Sequence, residues 1–185
     1  MNRKTKLVQS MALSLILVLV LAATALAAYK YLSVPQYQSR YACWSASSAH
    51  VSAFFKNVTS ETAIIDYERR IYRNKYPDPE PTCQGGSVAD MVAGVRLITG
   101  ISGYYQLNPL SYTAVKYQTN NNGPICAALT NYLQNGWKHA ITIRGYNDEG
   151  AEWCYFSDPY DGKYNRASHS YLVNTWKWVN SAFWK

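Results

Sequence analysis

The stretch Tyr37-Gln38-Ser39-Arg40-Tyr41-Ala42-Cys43-Trp44-Ser45-Ala46-Ser47 decides how the rest of this chain is interpreted. Cys43 stands where an irregular segment ends and a run of small residues that suit a helix begins. The free N–H groups and the positive dipole end of a new helix stabilise a thiolate, so this position suits a nucleophile. Gln38 lies five residues upstream. Its side-chain N–H and the backbone N–H of Cys43 can together bind the oxyanion that forms when a thiolate attacks a carbonyl.

A nucleophilic cysteine also requires a base, and the base requires an orienting group. His50 lies seven residues beyond Cys43, too far along the same helix to act as its base, and is predicted to be a core residue. His169 stands in a polar stretch and is predicted to be exposed. Taken alone, Cys43 has a simpler interpretation as a buried structural residue, because free cysteine often serves as a small apolar side chain. A catalytic role for Cys43 therefore depends on what the C-terminal half supplies.

The first 27 residues are predicted to be a secretory signal and not part of the fold. A start with three basic residues precedes an apolar run over residues 11–21, and Ala25-Leu26-Ala27 is typical of a cleavage site. The alternative is an uncleaved membrane anchor, because residues 7–28 are nearly long enough to span a bilayer. Cleavage would leave residues 28–185 as one secreted domain, large enough for its own core and without a membrane contact.

The charge pattern does not indicate a nucleic-acid partner. The chain carries 18 Lys and Arg against 11 Asp and Glu, and three of the basic residues fall in the predicted signal, which leaves a mature net charge of +4. The basic residues are scattered, and Arg69-Arg70 is the only doublet outside the signal. The 17 Tyr and 6 Trp fit a secreted β-rich domain in which most rings serve the core. We expect such a domain to be a monomer.

The four cysteines allow two interpretations. If Cys43, Cys83, Cys126 and Cys154 were all structural, they would form two disulfides in an oxidising compartment. If Cys43 is a free nucleophile, at least one of the other three is also unpaired, and those three are core residues or one disulfide with a spare thiol. Their spacings match no zinc pattern, and the chain has only three histidines. The sequence therefore predicts neither a metal site nor a cofactor.

The first half of the mature chain is predicted to be helical. One helix begins near Cys43, and a second covers about residues 60–70, where a proline-rich stretch follows. Ser87 and Asp90 resemble a capping pair at the start of a third helix, and Gly100 ends that helix.

From Pro124 onward the pattern changes to strands. Residues 125–129 form a short apolar strand, and residues 139–146 alternate with the period of a half-buried strand. Residues 147–150 have the composition of a turn, and residues 151–158 form the return strand.

The register of this predicted hairpin places a histidine beside an aspartate. If Tyr146 pairs with Ala151 across a four-residue turn, His139 stands directly opposite Asp158. Side chains at directly opposed positions project to the same face, with Cβ atoms about 5 Å apart. This is the arrangement that a base and its orienting group need, although an aspartate before a proline at a strand end is also common turn chemistry.

Cys43, His139 and Asp158 follow one another in that chain order, and at this point a family resemblance is clear. The chain resembles the papain-like cysteine peptidases of the compact, secreted bacterial type, over about residues 33–185. It is similar to the staphopains, to the plant-pathogen effector protease with a Cys-Trp-Ala-Ala motif and to the bacteriocin-leader-processing peptidases. An ordered set of motifs carries the resemblance: Val34-Pro35, Gln38, Cys43-Trp44-Ser45-Ala46-Ser47, Gly123-Pro124-Ile125, His139-Ala140-Ile141-Thr142-Ile143-Arg144-Gly145-Tyr146 and Ser157-Asp158-Pro159-Tyr160-Asp161-Gly162.

The resemblance implies an α+β fold, with an N-terminal helical part packed on a C-terminal antiparallel β-sheet and a cleft between them. It implies that Cys43 is the nucleophile, that His139 is the base and later protonates the leaving amine, and that Asp158 orients the imidazole. It also implies an oxyanion-hole glutamine, usually six residues before the cysteine. Here Gln38 is five before and Gln36 is seven before, so both remain open.

The expected function is hydrolysis of peptide bonds in a protein or peptide substrate, through an acyl-enzyme intermediate. A second hypothesis is another acyl transfer or peptidoglycan amide hydrolysis on the same three residues. A cell-wall hydrolase would usually carry a wall-binding repeat, and none is visible in the sequence. A third hypothesis is a non-catalytic, aromatic-rich binding module with the same fold.

Overall fold

The computed structural model describes residues 29–77 and 84–185. Helices pack against a seven-stranded antiparallel sheet, which confirms the predicted α+β fold with an N-terminal helical part and a C-terminal sheet. The predicted signal over residues 1–27 lies outside the described residues, as does Cys83. None of the helices in the described parts of the chain combines the length and the apolar character needed to cross a bilayer.

Most of the helices come in the first half of the chain, and most of the strands come in the second half. The helices are α1 (Cys43–Lys56), α2 (Glu61–Lys75), α3 (Val88–Thr99), α4 (Tyr112–Asn120) and α5 (His169–Asn174). The strands are β1 (Tyr29–Tyr31), β2 (Tyr104–Gln106), β3 (Ile125–Tyr132), β4 (Trp137–Asn147), β5 (Trp153–Asp158), β6 (Lys163–Ser168) and β7 (Trp178–Phe183). The sheet order is β2-β7-β3-β4-β5-β6, and β1 pairs with β4.

The helix that begins at Cys43 is buried along most of its length. Ala46 and Ala49 are fully buried, and their small side chains let α1 pack closely against β4, α2 and α3. Ser48 and Ser52 are buried as well, and each hydroxyl donates at 2.8 Å to the helix carbonyl four residues earlier. These two hydroxyls are therefore satisfied inside the helix, whereas the buried Ser47 hydroxyl and the His50 ring nitrogens have no hydrogen-bond partner among the described residues.

The predicted start and end of the third helix are confirmed. Ser87 and Asp90 form a capping box at the start of α3, and Gly100 ends it in the left-handed region, with φ of 78°. The second helix continues to Lys75, beyond its predicted end, because its last turns add Ile71 to the buried core.

The sheet separates two clusters of buried apolar side chains. Small residues such as Cys126, Ala140 and Ala182 face α1, α2 and α3. Larger residues such as Ile141 and Ile143 belong to the second cluster, with side chains from α4 and α5. The small residues on the first face let α1 approach the sheet closely, so that Cys43 at its start reaches the beginning of β4.

The predicted turn of the β4–β5 hairpin is wrong. Tyr146 pairs with Cys154, not with Ala151, and residues 148–152 connect the two strands. The connection is longer than predicted because the chain at Glu152 is engaged elsewhere: the first residue of α5 donates its N–H to the Glu152 carbonyl at 2.7 Å.

The predicted direct opposition of His139 and Asp158 is wrong for the same reason. Extending the observed register by one residue places Asp158 opposite Ile141. A bulge between Ile143 and Gly145 shifts the register by one position along the hairpin. Without that bulge, His139 and Asp158 would lie on opposite faces of the sheet, because a one-residue shift reverses every side chain. The bulge therefore returns the two residues to one face, as diagonal neighbours.

Candidate active site

Cys43 is the first residue of α1, and no side chain caps this N-terminus, so its N–H groups can interact with a negative charge. Ala42 precedes it with an extended backbone and no side-chain cap, and the first turn contains no acidic residue. Within residues 29–77 and 84–185, the Cys43 N–H has no hydrogen-bond acceptor. The positive end of the helix dipole and free N–H groups thus lie beside a partly exposed thiol.

His139 and Asp158 are hydrogen-bonded to each other. His139 Nε2 lies 2.6 Å from Asp158 Oδ1, and both side chains are buried. The imidazole also interacts with the Cys43 thiol, and since Nε2 is used by Asp158, Nδ1 is the nitrogen that remains for the thiol. Burial lowers the pKa of His139, but the hydrogen bonds with Asp158 and Cys43 outweigh burial and raise the pKa to about 9. The raised pKa favours an imidazolium beside the Asp158 carboxylate.

Three hydrogen bonds fix the orientation of the Asp158 carboxylate. It accepts hydrogen bonds from His139, from the Tyr132 hydroxyl at 2.7 Å and from the Tyr160 N–H at 2.9 Å. Burial by itself would raise the pKa of Asp158, but the His139 contact and the other donors hold that pKa below its usual range. Asp158 is therefore a buried carboxylate that stays charged and oriented.

Tyr132 is a site residue that the sequence did not reveal. Its ring centroid lies 4.2 Å from that of His139 and 4.8 Å from that of Trp176, so it packs between them. Burial and the neighbouring Asp158 raise the pKa of the Tyr132 hydroxyl above its ordinary value, so the hydroxyl remains a donor. The predicted strand over residues 125–129 stopped short of Tyr132, and nothing local distinguishes it among 17 tyrosines.

The candidate oxyanion residue Gln38 lies beside Cys43 and His139. All three line one cavity of about 370 Å³. The Gln38 side-chain N–H donates to the Tyr160 carbonyl at 3.0 Å, and the amide carries a second N–H. Gln36 is exposed and is not among the residues that line this cavity. The placement favours Gln38 over Gln36, even though its distance from the cysteine in sequence is one residue shorter than usual.

A cleft runs between the helices and the sheet, and Cys43, Lys138 and His139 lie at its middle. We call one side the glutamine half; it is lined by residues 38–42, Pro159 and Tyr160. The other side, about 430 Å³, is the glycine half; its lining includes Gln84, Gly85, Gly86, Ser87, Met91, Leu129 and Ala140. Such a cleft, partly apolar and with few polar groups at its centre, is typical of substrate sites.

Trp44, which follows the cysteine, holds the wall of the glycine half. Its indole N–H donates to the Gln84 carbonyl at 2.9 Å. A Cβ at Gly86 would lie 2.2 Å from the Trp44 ring, so only glycine allows this wall to pack directly on the indole. The nucleophile and the wall beside it are thus positioned by neighbouring residues of the same helix end.

Cys126, Cys154, His50 and His169 have structural surroundings. Cys126 and Cys154 are free thiols, and burial raises the pKa of both, that of Cys154 to about 12. His50 is fully buried beside Tyr37, and burial lowers its pKa to about 4. The prediction that His169 is simply exposed is wrong, because its Nε2 lies 2.8 Å from the Leu110 carbonyl and its ring packs in the second cluster. Across the described parts of the chain, no three His, Cys, Asp or Glu residues are grouped so that they could hold a metal ion.

Comparison with known proteins identifies the family. The family model described as papain-like cysteine protease AvrRpt2 matches residues 28–175. A structure from Bacillus anthracis, described as a C39-like peptidase, is similar with a TM-score of 0.61 and 13% identity, over 85% of this chain and 98% of that one. The Pseudomonas avirulence protein AvrPphB gives a TM-score of 0.37 and 12% identity, over 83% of this chain and 96% of that one. At these identities, the likeness to the Bacillus anthracis structure shows a common fold, and the TM-score of AvrPphB is too low to do so.

No curated protein sequence matches the chain. The family match covers most of it and includes Cys43, His139 and Asp158. The chain therefore belongs to the papain-like cysteine protease family described by AvrRpt2, and it is a cysteine-type peptidase.

Proposed function

We propose that this protein hydrolyses peptide bonds in proteins or peptides through a catalytic triad of Cys43, His139 and Asp158. The observation that carries the proposal is the placement of all three residues at the middle of the cleft. His139 Nε2 lies 2.6 Å from Asp158 Oδ1, and His139 lines the same cavity as Cys43, which stands at a helix N-terminus. A base, its orienting group and an activated nucleophile are the three parts that nucleophilic catalysis requires.

In the first half of the reaction, the Cys43 thiolate attacks the scissile carbonyl carbon, and the carbonyl electrons move to oxygen. The free Cys43 N–H and the Gln38 amide bind this oxyanion. The His139 imidazolium donates its proton to the leaving nitrogen, the C–N bond breaks, and the amine product departs. The acyl group remains on Cys43 as a thioester.

In the second half, neutral His139 removes a proton from a water molecule, and the resulting hydroxide equivalent attacks the thioester carbonyl. The C–S bond then breaks, which releases the carboxylic acid product and restores the thiolate beside the imidazolium. Asp158 keeps the ring in one orientation throughout, because Tyr132 and the Tyr160 N–H hold the carboxylate in place.

The glycine half of the cleft supports a peptide substrate. Gly85 and Gly86 line one wall, where the absence of side chains leaves room for the backbone of an extended peptide. Met91 and Leu129 supply apolar surface in the same half. This combination suits a peptide chain more than a small, highly polar substrate.

We also propose that the enzyme is secreted, with residues 1–27 removed as a signal and residues 28–185 as the working domain. The composition of residues 1–27 supports this. N-terminal sequencing of the protein recovered from culture medium, compared with protein recovered from membranes, separates cleavage from anchoring.

The experiment that tests the triad is covalent labelling. The purified protein is treated with a thiol-directed epoxide inhibitor of papain-like peptidases, and the adduct is mapped by mass spectrometry. Labelling of Cys43 alone is expected, with the buried Cys126 and Cys154 as internal controls, and the same label should be lost in His139→Ala. Hydrolysis of a mixed peptide library, absent in Cys43→Ala, then identifies the reaction. Equal labelling of several cysteines with and without His139 would refute the proposal, and label without hydrolysis would favour another acyl transfer.

A further inference from the structure

We propose, on the basis of the function proposed above, that Glu68 is a positioning residue for the oxyanion site. It holds the backbone of residues 39–42 so that the Cys43 N–H and the Gln38 amide face the same point in the cleft. Glu68 lies on α2 and lines neither half of the cleft, so it would act only through this segment.

Four consecutive residues donate to this one carboxylate. The Ser39 hydroxyl donates to Glu68 Oε1 at 2.6 Å. The backbone N–H groups of the next three residues follow: Arg40 to Oε2 at 3.0 Å, and Tyr41 and Ala42 to Oε1 at 3.0 and 3.2 Å. The Cys43 N–H comes next along the chain and is the first of the run without an acceptor in the described parts of the molecule. Successive N–H groups that converge on one anion give the backbone a single defined conformation.

The surroundings of Glu68 are unusual for a residue that only fills space. Its side chain is fully buried, and among residues 29–77 and 84–185 no lysine or arginine forms an ion pair with it. Burial of a charge without a cation is unfavourable unless hydrogen bonds replace its hydration. Here four hydrogen bonds come from residues 39–42, and the buried Tyr37 hydroxyl also lies beside the carboxylate. The backbone conformation of residues 39–42 therefore depends on the Glu68 carboxylate, and the buried carboxylate depends on the hydrogen bonds from those residues.

The same segment is fixed from the other side by the turn that follows Asp158. The Ser39 N–H donates to the Pro159 carbonyl at 2.8 Å, and the Gln38 amide donates to the Tyr160 carbonyl at 3.0 Å. Gly162, with φ of 69°, packs directly against the backbone of residues 37 and 38. A Cβ at this position would lie 2.7 Å from the backbone nitrogen of Gln38. The sheet side thus locates Gln38, and Glu68 on the helical side locates the N–H groups that lead to Cys43.

A positioning role makes a distinct kinetic prediction. Alkylation of Cys43 by iodoacetamide requires the thiolate but forms no oxyanion. A peptide aldehyde forms a hemithioacetal with the cysteine, and its oxygen occupies the oxyanion site. Loss of Glu68 should therefore weaken aldehyde binding and turnover while leaving alkylation unchanged.

The test compares Glu68→Gln with Glu61→Gln, an exposed glutamate on the same helix. Glutamine has nearly the same volume as Glu68, but it replaces one carboxylate oxygen by an NH₂ group. That group would face the N–H and O–H donors of residues 39–42. We expect kcat and aldehyde affinity to fall by about 10- to 100-fold, somewhat less than complete removal of an oxyanion donor costs. KM and the alkylation rate should stay within about 2-fold of wild type, and Glu61→Gln should match wild type in every measurement.

Unchanged kcat and aldehyde affinity in Glu68→Gln would overturn the inference, as would an alkylation rate that falls in parallel with kcat. If Glu68→Gln does not fold, Ser39→Ala carries the test, because it removes one donor and leaves the three backbone bonds. It should lower kcat and aldehyde affinity several-fold at a constant alkylation rate, and equal values in wild type and Ser39→Ala would overturn the inference. A wild-type protein without hydrolysis or Cys43 alkylation would instead refute the proposed function, so the two failures are distinguishable.

Discussion

The helical half and the sheet half present their reactive groups in different ways. Cys43 is presented by the backbone: it sits at an uncapped helix end, and the segment before it is held through its N–H groups. His139 and Asp158 are presented by side chains, which hydrogen-bond each other and pack against Tyr132. The nucleophile should therefore be sensitive to changes in backbone shape, and the base to changes in single side chains.

The two halves also differ in what the reactive residue contributes to stability. Cys43 is partly exposed at a helix start, so its side chain carries little of the packing. The His139–Asp158 pair is buried, so removal of one partner leaves the other without its oppositely charged neighbour. Four sets of variants test this difference between the halves.

The largest effect is expected for Cys43→Ala and His139→Ala. Each should lower kcat/KM by about 10³-fold or more, because members of a triad act as a unit. In urea unfolding the two should differ. His139→Ala should lower the free energy of unfolding by about 3 kcal/mol or more, because it leaves the Asp158 charge buried without its partner. Cys43→Ala should change it by about 1 kcal/mol or less. Equal losses of stability would contradict the contrast between the halves.

The next effect is expected for Asp158→Asn, measured as a pH profile of kcat/KM. The catalytic pair needs a protonated His139, and its pKa of about 9 sets the alkaline limit of activity. Asparagine removes a carboxylate that raises this pKa against the effect of burial, so the pKa of His139 should fall. The alkaline limb should move to lower pH, and the maximal rate should fall by about 10²-fold or more. An alkaline limb at an unchanged pH would show that Asp158 does not control His139.

A smaller effect is expected for the wall of the glycine half. In Gly86→Ala the added methyl would meet the Trp44 ring at 2.2 Å, whereas nothing lies within 4 Å of a Cβ at Gly85. Gly86→Ala should lower the free energy of unfolding by about 1–3 kcal/mol and raise KM, because the wall must move away from the indole. Gly85→Ala is the matched control for stability and should resemble wild type in thermal unfolding. A similar response of both variants would mean that Trp44 does not hold the wall.

The smallest effect is expected for Tyr132→Phe, which keeps the ring beside His139 and removes only the hydroxyl that donates to Asp158. Asp158 retains its other donors, so kcat should fall by about 10-fold or less, with a loss of about 1–3 kcal/mol in unfolding free energy. Tyr117→Phe is the control, because Tyr117 is exposed. A loss as large as that of Asp158→Asn would show that the hydroxyl, and not the carboxylate, controls the base.

The parts of the fold that could be predicted are those that short-range chemistry decides. The capping box of Ser87 and Asp90 and the stop at Gly100 involve residues close in sequence, and both are confirmed. The start of α1 at Cys43 follows from a run of small residues, and the α+β order follows from a change of hydrophobic period. The roles of Cys43, His139 and Asp158 stay predictions until the labelling experiment is done.

The parts that could not be predicted depend on contacts between distant residues. The sequence offered no means to foresee the bulge after Ile143, which keeps His139 and Asp158 on one face of the sheet. Tyr132 and Glu68 are ordinary strand and helix residues in the sequence. They reach Asp158 and the segment before Cys43 only because the fold brings them there, 26 residues or more along the chain.

The kind of chemistry can be predicted from residue order alone: a cysteine at a helix start, followed by a histidine and an aspartate on neighbouring strands. Residue type and local period are enough for this, because helix ends, turns and alternation are properties of short segments. Only the tertiary structure decided which face each strand residue takes, which carboxylate holds the approach to Cys43 and which glutamine borders the cleft. Those outcomes depend on the pairing register of the strands and on buried hydrogen bonds. A shift of one residue in the register decides whether two side chains are in contact.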